Sequence, residues 1–534
     1  MSAPTEPFST WDPEASPPTV HFPSRYNAAV DLVGRNLAAG RAGKVAFVDD
    51  RGATTYGELA ARVDRAGAAL LTLGIEPEQR ILLCLLDSVD FVALFLGAIK
   101  VGIIPVPVNT LLPASDYTFL LCDSRARALF VSDALVGKLR DAVAAAPLLR
   151  EVVVVDSPLG GPDDGHARFA ELIAAALPSL AAAETAPDDV AFWLYSSGST
   201  GTPKGTLHGH ASLMQTAYLY ARSVLGIRED DRVYSAAKLF FAYGLGNSLT
   251  FPMSVGATTI LCAERPTPAA VLRVLDERAP TIFCGVPTLF ASLLAAADEA
   301  ATAPALRLCT SAGEALPEHV GTRWRARFGV DILDGIGSTE MLHIFISNRP
   351  GEVRYGTTGR AVPGYTLELR DDDGKPTADG AAGALWVAGP SAAHGYYNQR
   401  ARTVGTFHGP WTRTGDRYSH DGDGYYTYSG RADDMLKVGG IWVSPFEVES
   451  ALSAHDSVLE VAVVGSADKD GLVKPKAFVR LRRPDDACDA LADTLKAFVK
   501  TRLAPYKYPR WIEFVAELPK TATGKIQRFK LRAP

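Results

Sequence analysis

The stretch Tyr195–Gly205, YSSGSTGTPKG, carries the densest chemistry in the chain. Its glycines let backbone N–H groups turn toward an anion, its serines and threonines add hydroxyl donors, and Lys204 adds a positive charge. A solvated surface loop has no need of Gly-Ser-Thr-Gly closed by Pro-Lys-Gly; phosphate groups do. The run is not the GxxxxGK[ST] loop of ordinary ATPases and kinases. Counted from Gly198, Pro203 falls where the second glycine belongs and Gly205 where Ser or Thr belongs. Other chemically able residues follow: Thr339 beside Glu340, Asp416 after Gly415 in what reads as a turn, and Lys525 between Gly524 and Ile526.

The elements that position these residues change character along the chain. Up to about Asp334 short apolar strings such as KVAFVDD, RILLCLLD, IIPVPV, RALFVSD, DRVYSAA, PTIFCGV and LRLCTSAG alternate with amphipathic helices. One helix, TTYGELAARVDRAGAALLTLG, opens with Thr55 and Glu58 at the spacing of a capping box. The alternation predicts parallel sheets with helices on both faces, in two related α/β subdomains. After about Pro350 the pattern turns to Gly, Asp and short strands, which predicts β-hairpins. After Arg431 a helix, two strands, a helix and a strand predict a small α+β unit. The expected fold is therefore α/β. A large N-terminal domain, residues 1–431, holds two layered α/β subdomains and a β-rich subdomain from about 350. A hinge follows at 432–434, and a small mobile α+β C-terminal domain occupies 435–534.

Composition sets the outer limits. At 534 residues, 47% apolar and 21% charged, the chain is globular and multidomain. Lys+Arg 54 against Asp+Glu 60 gives a net charge of −6, which lacks the basic excess of a nucleic-acid binder. The most apolar stretch, Ile81–Val108, is interrupted by Asp87, Asp90 and Lys100 and reads as strand, helix, strand rather than a membrane span. The first 25 residues are rich in Pro, Ser and Thr and lack the apolar core of a signal peptide. Cys84, Cys122, Cys262, Cys284, Cys309 and Cys488 form no CxxC pair or Cys/His cluster. They read as reduced core residues of a cytoplasmic protein.

YSSGSTGTPKG closely resembles the phosphate loop of the adenylate-forming superfamily: acyl- and aryl-CoA ligases, nonribosomal adenylation domains and firefly luciferases. Its companions stand in the same order. They are SAGEALP (Ser311–Pro317), DGIGSTE (Asp334–Glu340), WTRTGD (Trp411–Asp416), GRADDMLKVGGIWVSPFEVE (Gly430–Glu449) and PKTATGKIQR (Pro519–Arg528). The resemblance implies that ATP phosphates lie against Ser196, Ser197, Gly198, Ser199, Thr200, Gly201 and Lys204. It places adenine beside Ala312, Gly313, Glu314 and Asp334–Gly337, with Gly335, Ile336 and Thr339 in that set. Ile336 stands where the family usually has a stacking tyrosine, so adenine is expected to meet aliphatic contact. Asp416 would accept the ribose hydroxyls with Arg431 beside it. Glu340 would be the protein ligand of Mg²⁺. Lys525, Thr200 and Glu340 would be the catalytic set, Lys525 contacting the carboxylate substrate and the α-phosphate. Asp433 would be the hinge, and Lys437, Gly439, Gly440 and Trp442 would border coenzyme A.

The same resemblance places the acid in KLFFAYGLGNSLTFPMSVGA (Lys238–Ala257) and MLHIFIS. Phe241, Ala242, Tyr243 and Gly244 would wall a small flat cavity, with His343 and Ile344 at its floor. The combination is most similar to benzoate–CoA ligases. Lys238 and, just before MLHIFIS, Glu340 are the only charges in or beside these segments, so the far end of the acid is expected to be apolar. No serine-centred carrier module follows Lys525, which favours free coenzyme A as acceptor. The alternatives are a stand-alone aryl-acid adenylation domain loading a carrier protein, or a ligase for another small aryl or alicyclic acid. Partners are expected to be benzoate, ATP and coenzyme A, with neither nucleic acid nor membrane; a homodimer stays open.

Overall fold

The computed structural model describes residues 7–161, 165–177, 179–197, 203–297, 302–431, 434–438, 441–469, 472–520 and 526–532. Among these residues the chain is mixed α/β, with a large N-terminal domain and a small C-terminal one. Two sheets form the α/β body. The first joins Ile104–Pro107, Arg80–Cys84, Ala128–Ser132, Glu151–Val155 and Ala167–Arg168, all parallel. The second has nine strands, parallel at its centre from Val45–Asp49 to Ile332–Gly337. Its edges turn antiparallel at Gly52–Thr55 and at Ile344–Ser347 with Arg360–Ala361.

The local rules read from sequence operate here. Thr55 and Glu58 close the capping box of helix Tyr56–Thr72. Helix Val89–Lys100 is buried almost all round, and its Asp90 is held by Arg51 at 2.6 Å and by Arg62. An unpaired carboxylate there would carry a large desolvation cost. No helix among the described residues is long and apolar enough to cross a membrane.

After Gly359 the chain builds an antiparallel sheet from Thr366–Arg370, Gly383–Ala388, Trp411–His420, Phe407–His408 and Tyr426–Arg431. The C-terminal sheet joins Val458–Ala467, Val473–Leu481 and Trp511–Phe514 around a separate apolar cluster that includes Val448, Val463, Val479 and Leu495.

Four features differ from the sequence reading or escape it. Asp416 does not follow a turn: it lies within strand Trp411–His420, paired with Arg431 where that strand's register shifts. Cys122 and Cys488 are exposed rather than core, because Cys122 lies on the outer face of helix Ala114–Ser124 and Cys488 stands before helix Asp489–Lys500; the other four cysteines are buried. The proline-rich N-terminus forms a hairpin, Thr10–Asp12 with Thr19–His21, whose Trp11 stacks on Tyr218 at 5.7 Å. Two stretches, Ala217–Arg222 and Gly246–Thr250, wind as π-helix within longer helical runs. Such turns are rare and concentrate at functional sites.

Candidate active site

The phosphate segment is the end of an antiparallel hairpin. Strand Val190–Ser197 pairs with Pro203–Gly209 so that Tyr195 meets Gly205, Ser196 meets Lys204 and Ser197 meets Pro203. Burial of Phe192 and Trp193 drives the first strand into the core. Tyr195 donates its hydroxyl proton to Asp123 at 2.6 Å, which fixes the hairpin to the neighbouring subdomain.

Lys204 leads to Glu340. Its Nζ stands 3.4 Å from Glu340 Oε1 and donates to the Tyr396 hydroxyl at 3.1 Å; that hydroxyl donates to Glu340 Oε1 at 2.7 Å. Burial alone would raise the Glu340 pKa, but the Lys204 ammonium and the Tyr396 hydroxyl outweigh it and hold the carboxyl below its ordinary range. The turn Thr339–Met341 that carries Glu340 is tied from several sides. The Ala393 N–H donates to Glu340 O at 2.8 Å, Ser391 Oγ to Met341 O at 2.8 Å, and His208 Nε2 lies 2.8 Å from Thr339 O. Burial pushes the His208 imidazole down to about 4.

The strand before this turn, Ile332–Gly337, pairs with Ile344–Ser347: Gly335 with Ser347, Ile336 with Ile346, Gly337 with Ile344. A Cβ at Gly337 would lie 2.5 Å from His343 O, so this crossing requires glycine. Ser196 Oγ, Ser311 Oγ and Asp334 Oδ1 are buried without a hydrogen-bond partner among the described residues. Burial pushes the Asp334 carboxyl well above its usual range. Unmet polar atoms gathered in three signature segments fit a site for a polar ligand. Ala312 is buried beside Gly313, and Glu314 accepts from Thr288 Oγ1 at 2.9 Å. Farther round, Arg431 pairs with Asp416 at 3.2 Å.

On the other side of Glu340 the surroundings turn aromatic. His343 packs against Phe251 at 4.5 Å, Tyr220 at 5.4 Å and Tyr243 at 5.5 Å between ring centroids. Tyr220 and Gly246 come from the two π-helical turns, and a Cβ at Gly246 would strike the imidazole. Tyr243 shares a 2.6 Å hydrogen bond with Thr310 Oγ1, and Phe241 packs on Phe240 at 4.5 Å. Phe241, Ala242 and Tyr243 are half-buried; Gly244 and Ile344 are buried. Burial with only a backbone carbonyl nearby pushes His343 down to about 3, so it stays neutral. Lys238 turns away, donating to Cys262 O at 2.5 Å and Glu264 O at 2.8 Å.

Comparison with known proteins now decides the family. The description "AMP-binding enzyme" matches residues 35–397, and "AMP-binding enzyme C-terminal domain" matches 447–525. The chain belongs to the AMP-binding enzyme family. A benzoate–CoA ligase of Thauera aromatica is 59% identical over 529 residues, 98% of this chain and 99% of that one. Among solved structures, a benzoate CoA ligase from Burkholderia xenovorans LB400 is 55% identical with a TM-score of 0.88, over 95% of this chain and 100% of that one. The anthranilate CoA ligase AuaEII in complex with anthranoyl-AMP is 43% identical with a TM-score of 0.92, over 96% and 97%.

In this AMP-binding enzyme several expected site residues lie outside the described residues: Gly198, Ser199, Thr200, Gly201, Asp433, Gly439, Gly440 and Lys525. Lys437 and Trp442 are register partners in the hairpin Leu436–Val438 with Ile441–Val443. On either side of the undescribed 521–525 stretch, Lys520 bridges to Ile526, and Arg528 makes a two-pronged pair with Glu449 at 2.7 and 3.0 Å. Sequence reasoning missed Tyr396, His208 and Asp123, which reach the site through strand pairing and helix packing rather than through a contiguous motif. The donor set fits Mg²⁺ carried by a nucleotide. Glu340 is one carboxylate kept anionic, and no cluster of three or more His, Cys, Asp or Glu suited to a resident metal exists among the described residues.

Proposed function

We propose that this AMP-binding enzyme joins benzoate to coenzyme A through a benzoyl-adenylate, releasing pyrophosphate and then AMP. A benzoate oxygen attacks the α-phosphorus of ATP and pyrophosphate leaves. The coenzyme A thiolate then attacks the acyl carbon and AMP leaves. Ser196, Ser197, the 198–201 segment and Lys204 bind the phosphates. Glu340 holds the Mg²⁺ that arrives with ATP; that ion neutralises phosphate oxygens. Ala312–Glu314 and Asp334–Gly337 receive adenine, while Asp416, oriented by Arg431, accepts the ribose hydroxyls. Lys525 places its ammonium where charge moves from carboxylate to pyrophosphate. Rotation at Asp433 within a 432–434 hinge then exchanges Lys525 for the Lys437–Trp442 hairpin at the site. The reading sets the reaction in the cytoplasm, and the chemistry it assigns is complete within one chain.

The observation that carries the choice of acid is the neutral aromatic wall around His343. Phe241–Val255 contains no charged residue, and the nearest lysine, Lys238, spends its ammonium on two backbone carbonyls. Such a wall favours a flat uncharged ring with its carboxylate directed out of the wall toward the nucleotide. The experiment is AMP release with benzoate, 2-aminobenzoate, 4-hydroxybenzoate, cyclohexanecarboxylate, hexanoate and acetate, with and without coenzyme A. Benzoate should give the highest or nearly highest kcat/KM, with steady AMP release only when coenzyme A is present. Acetate or hexanoate outperforming benzoate would refute the assignment.

A further inference from the structure

We infer that His208 is a positioning residue: its imidazole locks the peptide plane between Thr339 and Glu340 to the phosphate hairpin and so sets where the Glu340 carboxylate stands for MgATP. This rests on the nucleotide reading of Glu340 given above, and not on the identity of the acid.

His208 lies on strand Pro203–Gly209 and is fully buried. A carbonyl oxygen only accepts, so the 2.8 Å contact with Thr339 O requires Nε2 to carry the proton. Nδ1 then bears a lone pair, and it is buried with no hydrogen-bond partner among the described residues. The ring lies nearly flat on Phe192, with centroids 5.2 Å apart and planes at 19°. A phenyl ring would fill that space, stack equally well and leave no polar atom stranded. Burial by itself therefore favours phenylalanine. What the imidazole adds is the bond it donates to the turn.

That bond complements a second tie from the same strand. Lys204 reaches the Glu340 side chain at 3.4 Å. Phosphates entering the hairpin compete for the Lys204 ammonium, and a metal competes for the Glu340 oxygens. The link from Lys204 to Glu340 is therefore remade during each turnover. His208 grips the backbone instead, so its link persists while the side chains change partners.

The test compares His208→Phe and His208→Leu, which cannot donate, with His208→Gln, whose amide can. MgATP dissociation constants are measured without acid, beside melting temperatures and the KM for benzoate. Loss of the donor should weaken MgATP binding about tenfold, while the benzoate KM stays within about twofold and His208→Phe melts no lower than the parent chain. His208→Gln should recover binding to within about threefold of the parent. The inference is overturned if either donorless variant binds MgATP as the parent does, or if glutamine is no better than phenylalanine. It is equally overturned if melting temperature, MgATP affinity and benzoate KM all worsen together. Because no acid enters the binding arm, a wrong choice of benzoate leaves that arm intact.

Discussion

Glu340 and His343 stand three residues apart in sequence, and the fold gives them opposite electrostatics. Glu340 is set between Lys204 and Tyr396, which keep its carboxyl charged. His343 is set among Tyr220, Tyr243 and Phe251 with one backbone carbonyl at 3.3 Å, which keeps its imidazole neutral. The supports differ as well. The His208 and Ser391 side chains and the Ala393 N–H grip the backbone carbonyls of the Glu340 turn, whereas one π-helical turn brings Tyr220 to His343 and the helices flanking the other bring Tyr243 and Phe251. On the proposed function, one short segment serves two ligands: its charged half would meet a polyanion with its metal, and its neutral half an uncharged ring.

The largest effect that would sharpen this contrast belongs to Lys525, which the proposed function assigns to the charge-handling side on the strength of the signature PKTATGKIQR. Lys525→Ala should slow benzoyl-adenylate formation by about 10²–10³-fold. Supplied with pre-made benzoyl-adenylate and coenzyme A, the same variant should form thioester near the parent rate. Equal loss in both half-reactions would break the rotation scheme.

Glu340→Gln comes next. It keeps the shape and removes the charge that Lys204 faces, so kcat/KM for MgATP should fall by about 10- to 100-fold, the scale of a lost charged hydrogen bond. The KM for benzoate should stay nearly unchanged. A loss confined to benzoate would mean that the two halves have been assigned the wrong way round.

The smallest effect concerns pH. His343 titrates near 6.5 when unfolded and is depressed to about 3 when folded. Its contribution to stability is therefore present above pH 6.5 and is lost as pH falls from there toward 3, because the unfolded chain binds the proton more readily. At pH 5.5 the loss is about 1.4 kcal/mol, or on the order of 1–3 °C in melting temperature. His208 and His210, each depressed to about 4 by burial, act in the same direction. His343→Phe should flatten the fall in melting temperature between pH 7 and 5.5; an unchanged slope would show that His343 is not held neutral by its surroundings.

The contrast also explains how legible each half was. The nucleotide half is written in contiguous stretches, because a phosphate loop and a turn bearing a carboxylate each need their residues side by side. Its supports were not legible. Tyr396 arrives because Gly395–Tyr396 pairs with Pro203–Gly209, and His208 reaches Thr339 across a fold contact, and neither leaves a local pattern. Asp416 was read at a turn because Gly415 precedes it; Gly415 does take a positive φ of 78°, but as a bulge inside a continuous strand, and pairing with Tyr426–Arg431 delivers Arg431 as the register partner of Asp416. Around His343 the gathering of Tyr243 with that imidazole was legible and the backbone was not. Nothing in AYLYAR or GNSLT marks a π-helical winding over an ordinary one, since that depends on what packs against it.

The measurement that tests the division most directly is the pair of KM values for benzoate and MgATP in Ala242→Leu. Ala242 is half-buried at the start of the helix that carries Tyr243, among the rings and away from the ties to Glu340. Filling that space should cost benzoate about 1–3 kcal/mol, or roughly 5- to 150-fold in kcat/KM. The MgATP KM should remain within about twofold of the parent, below 0.5 kcal/mol. A rise confined to MgATP, or an equal rise in both, would contradict the account.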